Sequence, residues 1–370
     1  MIIVYNNKKS EDDIVKKTSR VNLESISGKG RKNKLIHADN LSALKTLLDD
    51  FAGKIDLIYI DPPFATNGHF KIGDDRANTI SSSNADVVAY SDTIVGPDFL
   101  EFLRERLIFL RELLSERGSI YLHIDYKIGH YVKLIMDEIF GRNMFRNDIT
   151  RIKCNPKNFQ RKAYGNIKDL ILFYSRSTDP IWNDPRIPFS EDDEGRLFKK
   201  IDKDGRKYTT IPLHAPGETI NGNTGKEWKG MKPPKGRHWR SEPAVLEEWD
   251  KQGLVEWSTN GVPRKKIFFD EKDGKKMQDI WEFKDPQYPK YPTEKSLDLL
   301  KFIIEASSNE GDLVLDCFCG SGTTLVAAQS LNRHWIGIDK SEQAIKVTQK
   351  KLSQIPANLF SKVEYEFLKQ

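Results

Sequence analysis

Cysteine is scarce in this sequence, since 370 residues contain only Cys154, Cys317 and Cys319. Three thiols cannot staple a chain of this length, which excludes a disulfide-rich secreted scaffold and favours a reducing cytoplasm. No second pair of Cys or His residues stands at ligand spacing from Cys317 and Cys319. We therefore expect small buried thiols and no metal site.

Long apolar runs are also missing. None approaches the roughly 18 residues that span a membrane, and the opening MIIVYNNKKSEDD places acids directly after a short apolar run, unlike a secretory signal. Hydrophobic residues make up 38% of the chain and charged residues 31%, which indicates a soluble globular protein with no membrane partner. A length of 370 residues suggests one large domain and a smaller one.

Positive charge and tryptophan are concentrated in residues 151–290. This segment has 29 Lys and Arg against 22 Asp and Glu, a net charge of +7, whereas the rest of the chain has 30 against 32, or −2. It also holds six of the seven tryptophans and 12 of the 17 prolines. Such a composition suits contact with nucleic-acid phosphates and bases. An irregular domain with tryptophans in its core has the same composition, so composition alone leaves both interpretations open.

Apolar strands and amphipathic helices alternate on both sides of this basic segment. Strands are predicted at residues 55–60, 119–124, 169–175, 312–318 and 334–339, with helices after 40 and at 99–114, 131–140, 294–307, 323–331 and 341–353. Residues 65–96 are rich in Gly, Ser, Asn and Asp and read as a long loop. The alternation predicts an α/β fold with a doubly wound, Rossmann-like sheet that carries an inserted, irregular domain.

The stretch LVLDCFCGSGTT places Gly320, Ser321 and Gly322 between a predicted strand and a helix. Glycines at this junction let a ligand approach the backbone. No lysine follows them, which excludes a Walker loop, and Asp316 disfavours a phosphate because like charges would meet. Asp339 ends the next strand, where a carboxylate suits ribose hydroxyls. A nucleoside with a cationic amine or sulfonium accounts for both acids.

The stretch IDLIYIDPPF ends a predicted strand with Asp61, Pro62, Pro63 and Phe64. The prolines restrict the backbone, so the Pro62 carbonyl is held rigidly near the Asp61 carboxylate. Two hydrogen-bond acceptors beside an aromatic ring can bind a planar primary amine such as the exocyclic amino group of a nucleobase. Accepting both of its hydrogens favours a tetrahedral nitrogen with an available lone pair, which is catalysis by positioning and electrostatics. Taken alone, the motif also fits an ordinary proline turn.

Together these motifs resemble those of the S-adenosylmethionine-dependent amino-DNA methyltransferases. DPPF matches the family's catalytic motif and FCGSG its cofactor loop, in the permuted order of the β class. HADNLSAL is similar to the first motif, and YPTEKS to the segment before the cofactor helix, which usually has Gln for Glu294 and Pro for Ser296. The resemblance covers residues 35–175 and 290–355. The opening third is also similar to the modification (Mod) subunits of type III restriction systems, which are much longer.

The resemblance implies a methyltransferase that modifies adenine N6 of a flipped-out base in a specific sequence of double-stranded DNA, and that converts S-adenosylmethionine to S-adenosylhomocysteine without a metal. Residues 1–180 would form the catalytic half, 181–290 a target-recognition domain and 291–370 the cofactor-binding half. The implied catalytic residues are Asp61, Pro62, Pro63 and Phe64. The implied cofactor-binding residues are Asp39, Asp61, Thr293, Lys295, Asp316, Phe318, Gly320, Ser321, Gly322, Thr323 and Asp339.

Further residues are candidates for contact with the DNA. Phe64 would stack on the flipped base with Phe173 or Tyr174 on its other face, although the last two also fit a strand core. Loop residues Asn67, Lys71 and Tyr90 could close over the base, and His123 and Asp125 fit a pocket-shaping role better than a catalytic one. The candidates for phosphate or base-edge contact are Lys232, Lys235, Arg237, Arg240, Arg264, Lys265 and Lys266.

Several alternatives stay open at this point. The same apparatus could methylate cytosine N4, and a basic insertion suits RNA as well as DNA. A catalytically silent DNA-binding subunit of a methyltransferase heterodimer is a different class, against which the intact DPPF and glycine loop argue. A homodimer, a restriction endonuclease and a second methyltransferase subunit are the protein partners to consider.

Overall fold

The computed structural model describes residues 3–63, 96–155, 162–286, 294–355 and 363–370, and the backbone of residues 68–72, 77–78 and 87–92. The helices in these ranges are α1 (Glu11–Lys17), α2 (Asn40–Phe51), α3 (Gly96–Leu113), α4 (Gly129–Phe140), α5 (Glu191–Leu197), α6 (Pro243–Lys251), α7 (Leu297–Ser307), α8 (Thr323–Ser330) and α9 (Glu342–Ser353). The strands are β1 (Glu24–Ser27), β2 (Lys34–His37), β3 (Ile55–Ile60), β4 (Gly68–Ile72), β5 (Ala77–Asn78), β6 (Val87–Asp92), β7 (Leu114–Ile124), β8 (Phe145–Ile152), β9 (Lys168–Ser175), β10 (Arg186–Ile187), β11 (Lys200–Ile201), β12 (Lys207–Pro212), β13 (His214–Pro216), β14 (Arg237–Trp239), β15 (Val255–Trp257), β16 (Pro263–Phe268), β17 (Lys275–Lys276), β18 (Ile280–Trp281), β19 (Leu313–Asp316), β20 (His334–Asp339) and β21 (Glu366–Lys369).

Within the described ranges, ten strands form one mixed sheet in the order β1-β21-β2-β20-β19-β3-β7-β9-β8-β18. Strands β2, β20, β19, β3 and β7 pair in parallel with one another along this order. Strand β9 runs antiparallel to both β7 and β8. The strands and helices expected from the sequence are present, and the prediction of an α/β fold with a doubly wound sheet is confirmed.

The apolar residues of β3 alternate between the two faces of this sheet. Ile58 and Ile60 belong to the core that α2, α3 and α4 complete, whereas Leu57 and Tyr59 are buried on the other face. On that second face, the Tyr121 hydroxyl of β7 lies 2.8 Å from the Ser307 hydroxyl of α7. Helices therefore cover both faces, which explains why β3 is apolar at nearly every position.

Two regions differ from the predictions. Strand β7 begins at Leu114, directly after α3, because Leu114 pairs with Ile55 before the register shifts; the sequence predicted a strand only after Gly118. The polar stretch 65–96, predicted as a loop, includes an antiparallel sheet in the order β5-β4-β6. The surrounding Gly, Ser and Asn outweigh the short alternating segments HFKI and VVAY in a sequence-based prediction.

The chain divides into two compact units. The first combines Met1–Pro185 with Gln278–Gln370 and contains the ten-stranded sheet. The second, Arg186–Met277, has an antiparallel sheet in the order β11-β12-β16-β15. Its small core consists of Leu213, Trp228, Trp239, Leu246 and Val255. Two of the tryptophans in the basic segment are therefore core residues. Among the described residues, no helix combines the length and apolar character needed to cross a membrane.

Candidate active site

Four acidic residues stand at the carboxyl ends of four neighbouring parallel strands. Asp39 follows β2, Asp339 ends β20, Asp316 ends β19 and Asp61 follows β3. Ligands of open α/β sheets bind at this edge of the sheet. The fold thus brings together four residues that the sequence had singled out from distant parts of the chain.

Asp61 and Lys295 form a buried ion pair at this edge. The Nζ atom of Lys295 lies 3.1 Å from Oδ2 of Asp61, and the Lys295 and Asp61 side chains are only 9% and 16% exposed, respectively. The Oδ1 atom of Asp61 is buried and has no hydrogen-bond partner among the described residues. Burial raises the pKa of the Asp61 carboxyl to about 6, although the charge and hydrogen bond of Lys295 oppose this rise. The carboxylate is therefore mostly ionised at neutral pH and has one oxygen available for a donor.

The glycine loop between β19 and α8 is held by the Asp339 carboxylate. Its Oδ2 accepts the backbone N–H of Gly320 at 2.9 Å, and its Oδ1 accepts that of Ser341 at 2.8 Å. Gly322, the residue before α8, has a φ of 73°, in the left-handed region. A Cβ atom at Gly322 would stand 2.6 Å from the side chain of Thr348. Both the conformation and the lack of space require glycine here.

Asp316 is buried beneath this loop and fixes its shape. Its side chain accepts the backbone N–H of Phe318 at 3.0 Å and the hydroxyl of Thr324 at 2.6 Å. Burial raises the pKa of Asp316 to about 7, against the effect of these two bonds. Nearby, the hydroxyls of Ser321 and Thr323 lie 3.2 Å apart at the start of α8.

Helix α9 contacts the glycine loop with one face. The Thr348 hydroxyl donates to the Gly320 carbonyl at 3.0 Å, and the Lys351 ammonium donates to the Ser321 hydroxyl at 2.9 Å and pairs with the Glu294 carboxylate. Residues 348 and 351 share a helix face because they are three positions apart. Lys351 is not among the residues predicted from the sequence, because these partners are distant in the chain and a lysine near a helix end usually only faces solvent.

Asp39 and Phe318 lie on the side of α2 and α3. The Asp39 side chain accepts the backbone N–H of Leu41 at 3.0 Å, so it caps α2. Arg106 of α3 is buried, with its guanidinium 3.7 Å from the Asp39 carboxylate and 3.6 Å from the centre of the Phe102 ring. The Phe102 ring in turn packs against Phe318, with 6.1 Å between ring centres.

A buried polar chain crosses the sheet on its second face. The Tyr59 hydroxyl lies 2.8 Å from Nδ1 of His123, and Nε2 of His123 lies 3.3 Å from the Asp169 carboxylate. Lys153 and Arg151 approach that carboxylate at 2.7 and 3.7 Å. Burial lowers the pKa of His123 to about 3, so the imidazole is neutral. A neutral, fully buried His123 agrees with a structural role better than with proton transfer.

The two aromatic side chains predicted to stack on a base, Phe173 and Tyr174, are core residues. The Phe173 ring is 4% exposed and stacks on Tyr121 with 4.3 Å between ring centres. Tyr174 is fully buried, packs against Phe145 and donates its hydroxyl to Asp137 at 2.8 Å. Neither ring presents a face to a base, because neighbouring side chains on the sheet already cover both. Both side chains therefore lie in the strand core in this structure.

The structure describes the remaining predicted residues of the first unit only in part. Phe64, Asn67 and Thr293 lie outside the described residues, and so do the side chains of Lys71 and Tyr90. Pro62 is buried and Pro63 is partly exposed. Within the described ranges, no group of three His, Cys, Asp or Glu side chains is arranged to hold a metal ion.

Three of the arginines predicted to contact DNA lie around His214 in the second unit. Nη1 of Arg237 stands 3.2 Å from Nδ1 of His214. Arg240 donates to the Pro212 carbonyl and Arg264 to that of Thr210, at 3.0 and 2.8 Å. Burial and the charges of the three guanidiniums lower the pKa of His214. In the fully described second unit, none of the three forms an ion pair with a carboxylate.

The predicted lysines of this unit have different surroundings. Lys266 pairs with Asp202 at 2.9 Å, whereas the Lys265 ammonium lies 3.3 Å from the centre of the Trp249 ring. Burial lowers the pKa of Lys265. Lys232 and Lys235 are exposed. Of the seven predicted residues, Lys266 alone forms an ion pair with a carboxylate in this fully described unit, so three arginines and three lysines keep a positive charge that no carboxylate neutralises.

The glycine loop and its acids fit a nucleoside cofactor with a cationic centre. Asp339 is oriented by two backbone N–H groups and still has lone pairs for hydroxyl donors. The ionised Asp61 carboxylate on the adjacent strand end favours a sulfonium over a phosphate, and Asp316 adds to this effect when it is ionised.

Comparison with known proteins supports the same assignment. Residues 55–350 match the family described as DNA methylase. The chain is 41% identical to the type II methyltransferase M.EcaI of Enterobacter cloacae, over 87% of this chain and 69% of that protein. It is 26% identical to the type II methyltransferase M.KpnI of Klebsiella pneumoniae, over 80% and 76% of the two chains.

A third relative is the probable type III restriction-modification enzyme HindVI Mod subunit of Haemophilus influenzae, 25% identical over 89% of this chain. The match covers 51% of that subunit, so the chain spans about half the length of this relative. The family match extends over the catalytic motif, the second unit and the glycine loop, and it confirms the S-adenosylmethionine cofactor expected from the sequence. The chain therefore belongs to the DNA methylase family of S-adenosylmethionine-dependent methyltransferases.

Proposed function

We propose that this chain methylates the N6 amino group of an adenine in a specific DNA sequence. The observation that carries the proposal is the Oδ1 atom of Asp61, a buried acceptor at the sheet edge with no partner among the described residues. An unsatisfied buried acceptor costs about 1–3 kcal/mol, which a donor from the substrate would recover. An amino group on a planar base is such a donor.

Asp61 and the Pro62 carbonyl would each accept one N–H of this amino group, which directs the nitrogen lone pair away from both acceptors. S-adenosylmethionine, when bound, supplies the methyl group and leaves as S-adenosylhomocysteine as its carbon–sulfur bond breaks. The nitrogen forms the new carbon bond, becomes positively charged and then loses one of its protons. Asp61, as the proposed acceptor of one N–H of that nitrogen, would receive this proton and pass it to water. Phe64 is proposed to stack on the base.

Cytosine N4 is the second candidate, because its amino group presents the same two hydrogens to the same acceptors. Adenine is preferred because an aspartate at position 61 resembles the motif of the adenine-modifying members. One of the named relatives is a probable restriction-modification subunit, which supports a role in marking DNA against a partner endonuclease in the cytoplasm. The second unit is proposed to recognise the target sequence, within the predicted boundaries of residues 181–290.

The test is a methyl-transfer assay with labelled S-adenosylmethionine and unmethylated DNA, followed by digestion and mass spectrometry of the nucleosides. N6-methyladenine is expected from the wild type and not from Asp61→Ala, which should still bind DNA. If the product is N4-methylcytosine, the target base is cytosine and the proposed mechanism is unchanged. If the wild type binds cofactor and DNA but methylates neither base, the proposal is wrong and a DNA-binding subunit gains support.

A further inference from the structure

Two consecutive residues before α7 connect the two functional parts of the sheet edge. Lys295 pairs with Asp61, the proposed acceptor of the substrate amine. Glu294 pairs with Lys351 of α9, whose ammonium also bonds the Ser321 hydroxyl in the glycine loop. One short segment is thus fixed to the acceptor on one side and to the cofactor loop on the other.

The burial of these groups indicates that the two ion pairs have a defined geometry. The side chains of Glu294 and Lys351 are 14% and 16% exposed, close to the values of the Lys295–Asp61 pair. By contrast, the Lys346–Glu342 pair on the same helix is 64% and 70% exposed. Exposed pairs contribute little because water competes for both charges, whereas a mostly buried pair restricts the segment that carries it.

We infer that Glu294 and Lys351 are positioning residues, which keep the Lys295 ammonium against Asp61 when the cofactor loop is in place. The proposed methyl transfer is favoured by an ionised Asp61, which is the stronger acceptor, and an adjacent cation favours that form. Without the Glu294 anchor, the segment before α7 would move more freely and Lys295 would spend less time beside Asp61. This inference depends on the proposed function, because it concerns the state of the proposed acceptor.

Four other titratable groups that interact electrostatically with Asp61 lie on strands of the sheet. Electrostatically, Asp61 is influenced by Asp169 and Arg151, and it influences Tyr59 and Asp316 in turn. These four groups belong to β9, β8, β3 and β19, whereas Glu294 precedes α7 and its partner lies on α9. We therefore expect a change at residue 294 to act on Asp61 chiefly through Lys295, the adjacent residue in the chain.

Glu294→Gln tests the inference, since it removes the charge and keeps the shape. Lys351 retains its bond to Ser321, so we expect the dissociation constant of S-adenosylhomocysteine, measured by calorimetry, to change by less than about twofold. The acid limb of kcat against pH should shift upward by about 0.5–1 unit, which lowers kcat at pH 6 by about twofold to fivefold. Glu342→Gln, which removes the exposed pair on the same helix, is the matched control and should change neither quantity.

Lys351→Met removes both bonds of the ammonium, so the acid limb should shift and the affinity for S-adenosylhomocysteine should fall by about tenfold. The exchanged double variant Glu294→Lys with Lys351→Glu should restore the position of the acid limb without restoring that affinity. The inference is wrong if the limb of Glu294→Gln coincides with that of the wild type, or if affinity and kcat fall equally in it. Absence of methyl transfer by the wild type would instead refute the proposed function, and the calorimetric comparison would still report on Lys351.

Discussion

The Lys295 ammonium lies 3.1 Å from the Asp61 carboxylate, and both side chains are largely removed from solvent. A carboxyl buried without a counter-charge would take up a proton near neutral pH. The ion pair opposes this tendency and leaves one carboxylate oxygen open to a donor. The position of one lysine therefore determines whether the proposed acceptor carries charge.

Replacing Lys295 by Gln should move the acid limb of methyl transfer to higher pH. The pKa of Asp61 is about 6, and the ionised carboxylate accepts the amine hydrogens more strongly than the protonated form, so the wild-type rate should fall as pH drops through about 6. Loss of the ammonium removes an effect that lowers this pKa, and we expect the limb to rise by about one unit. Single-turnover rates between pH 5 and 9 measure it. An unchanged limb would mean that Lys295 does not control the ionisation of Asp61.

Gly322→Ala should weaken cofactor binding and destabilise the first unit. The substitution places a Cβ 2.6 Å from Thr348 at a φ of 73°, and strain of this kind costs about 1–3 kcal/mol. Gly311→Ala is the matched control, since its φ is 83° and a Cβ there meets no atom within 4 Å. The midpoint of thermal unfolding and the affinity for S-adenosylhomocysteine should both fall further in Gly322→Ala. Equal losses in the two variants would exclude the contact with Thr348 as the cause.

Arg237→Ala and Arg240→Ala should each weaken DNA binding and reduce its dependence on salt. These guanidiniums have no carboxylate partner in the second unit, so they are available to neutralise phosphates, and removing one phosphate-binding charge lowers the slope of log K against log salt by about 1. Arg206 lies in the same unit but pairs with Asp270 at 2.8 Å and Glu271 at 2.7 Å, which makes Arg206→Ala the control. Fluorescence anisotropy at several salt concentrations gives the slopes. A larger effect at Arg206 would show that the DNA binds another surface.

Asp316→Asn should make the free energy of unfolding depend less strongly on pH. Burial raises the pKa of Asp316 in the folded protein to about 7, from an ordinary value of 3.8. The folded state then holds a proton that the unfolded state releases, so the free energy of unfolding falls as pH rises from about 4 to about 7, by up to about 1.4 kcal/mol per unit. Asparagine cannot ionise and retains an acceptor for the Phe318 N–H. Urea unfolding at pH 5 and pH 7.5 should show a smaller decrease for the variant, whereas equal decreases would contradict the assignment.

Local patterns were sufficient to predict most of the first unit. Strand β3 and helix α2 can be identified from local sequence alone. A strand that is buried on both faces is apolar at nearly every position, as β3 is. A helix that is buried on one face has apolar residues three or four positions apart, as the leucines of α2 are. The acids at the strand ends could be located for the same reason, since chain order places Asp61, Asp316 and Asp339 directly after predicted strands. Family resemblance then connected them to methyl transfer.

Interactions between distant segments were not predictable in this way. Nothing in the local sequence distinguishes Lys351 from the exposed lysines of α9, and the charge of Asp169 is explained only by partners on neighbouring strands. Phe173 and Tyr174 are candidates for base stacking because they match a motif position, with strand core as the alternative, and the fold buries the Tyr174 ring on the core face. A residue's direction from a strand depends on register, which a single sequence fixes poorly.

The strand order also has a consequence for synthesis on the ribosome. Strand β3 pairs with β19, which is made about 250 residues later, and β2 pairs only with β20 and β21, which are later still. While the second unit is being translated, β2 therefore has no sheet neighbour and β3 has one open edge. Such apolar edges favour association between unfinished chains. The acids of the candidate site can meet only after residue 339 has been translated, so a chain arrested before residue 313 would expose these edges and lack both Asp316 and Asp339.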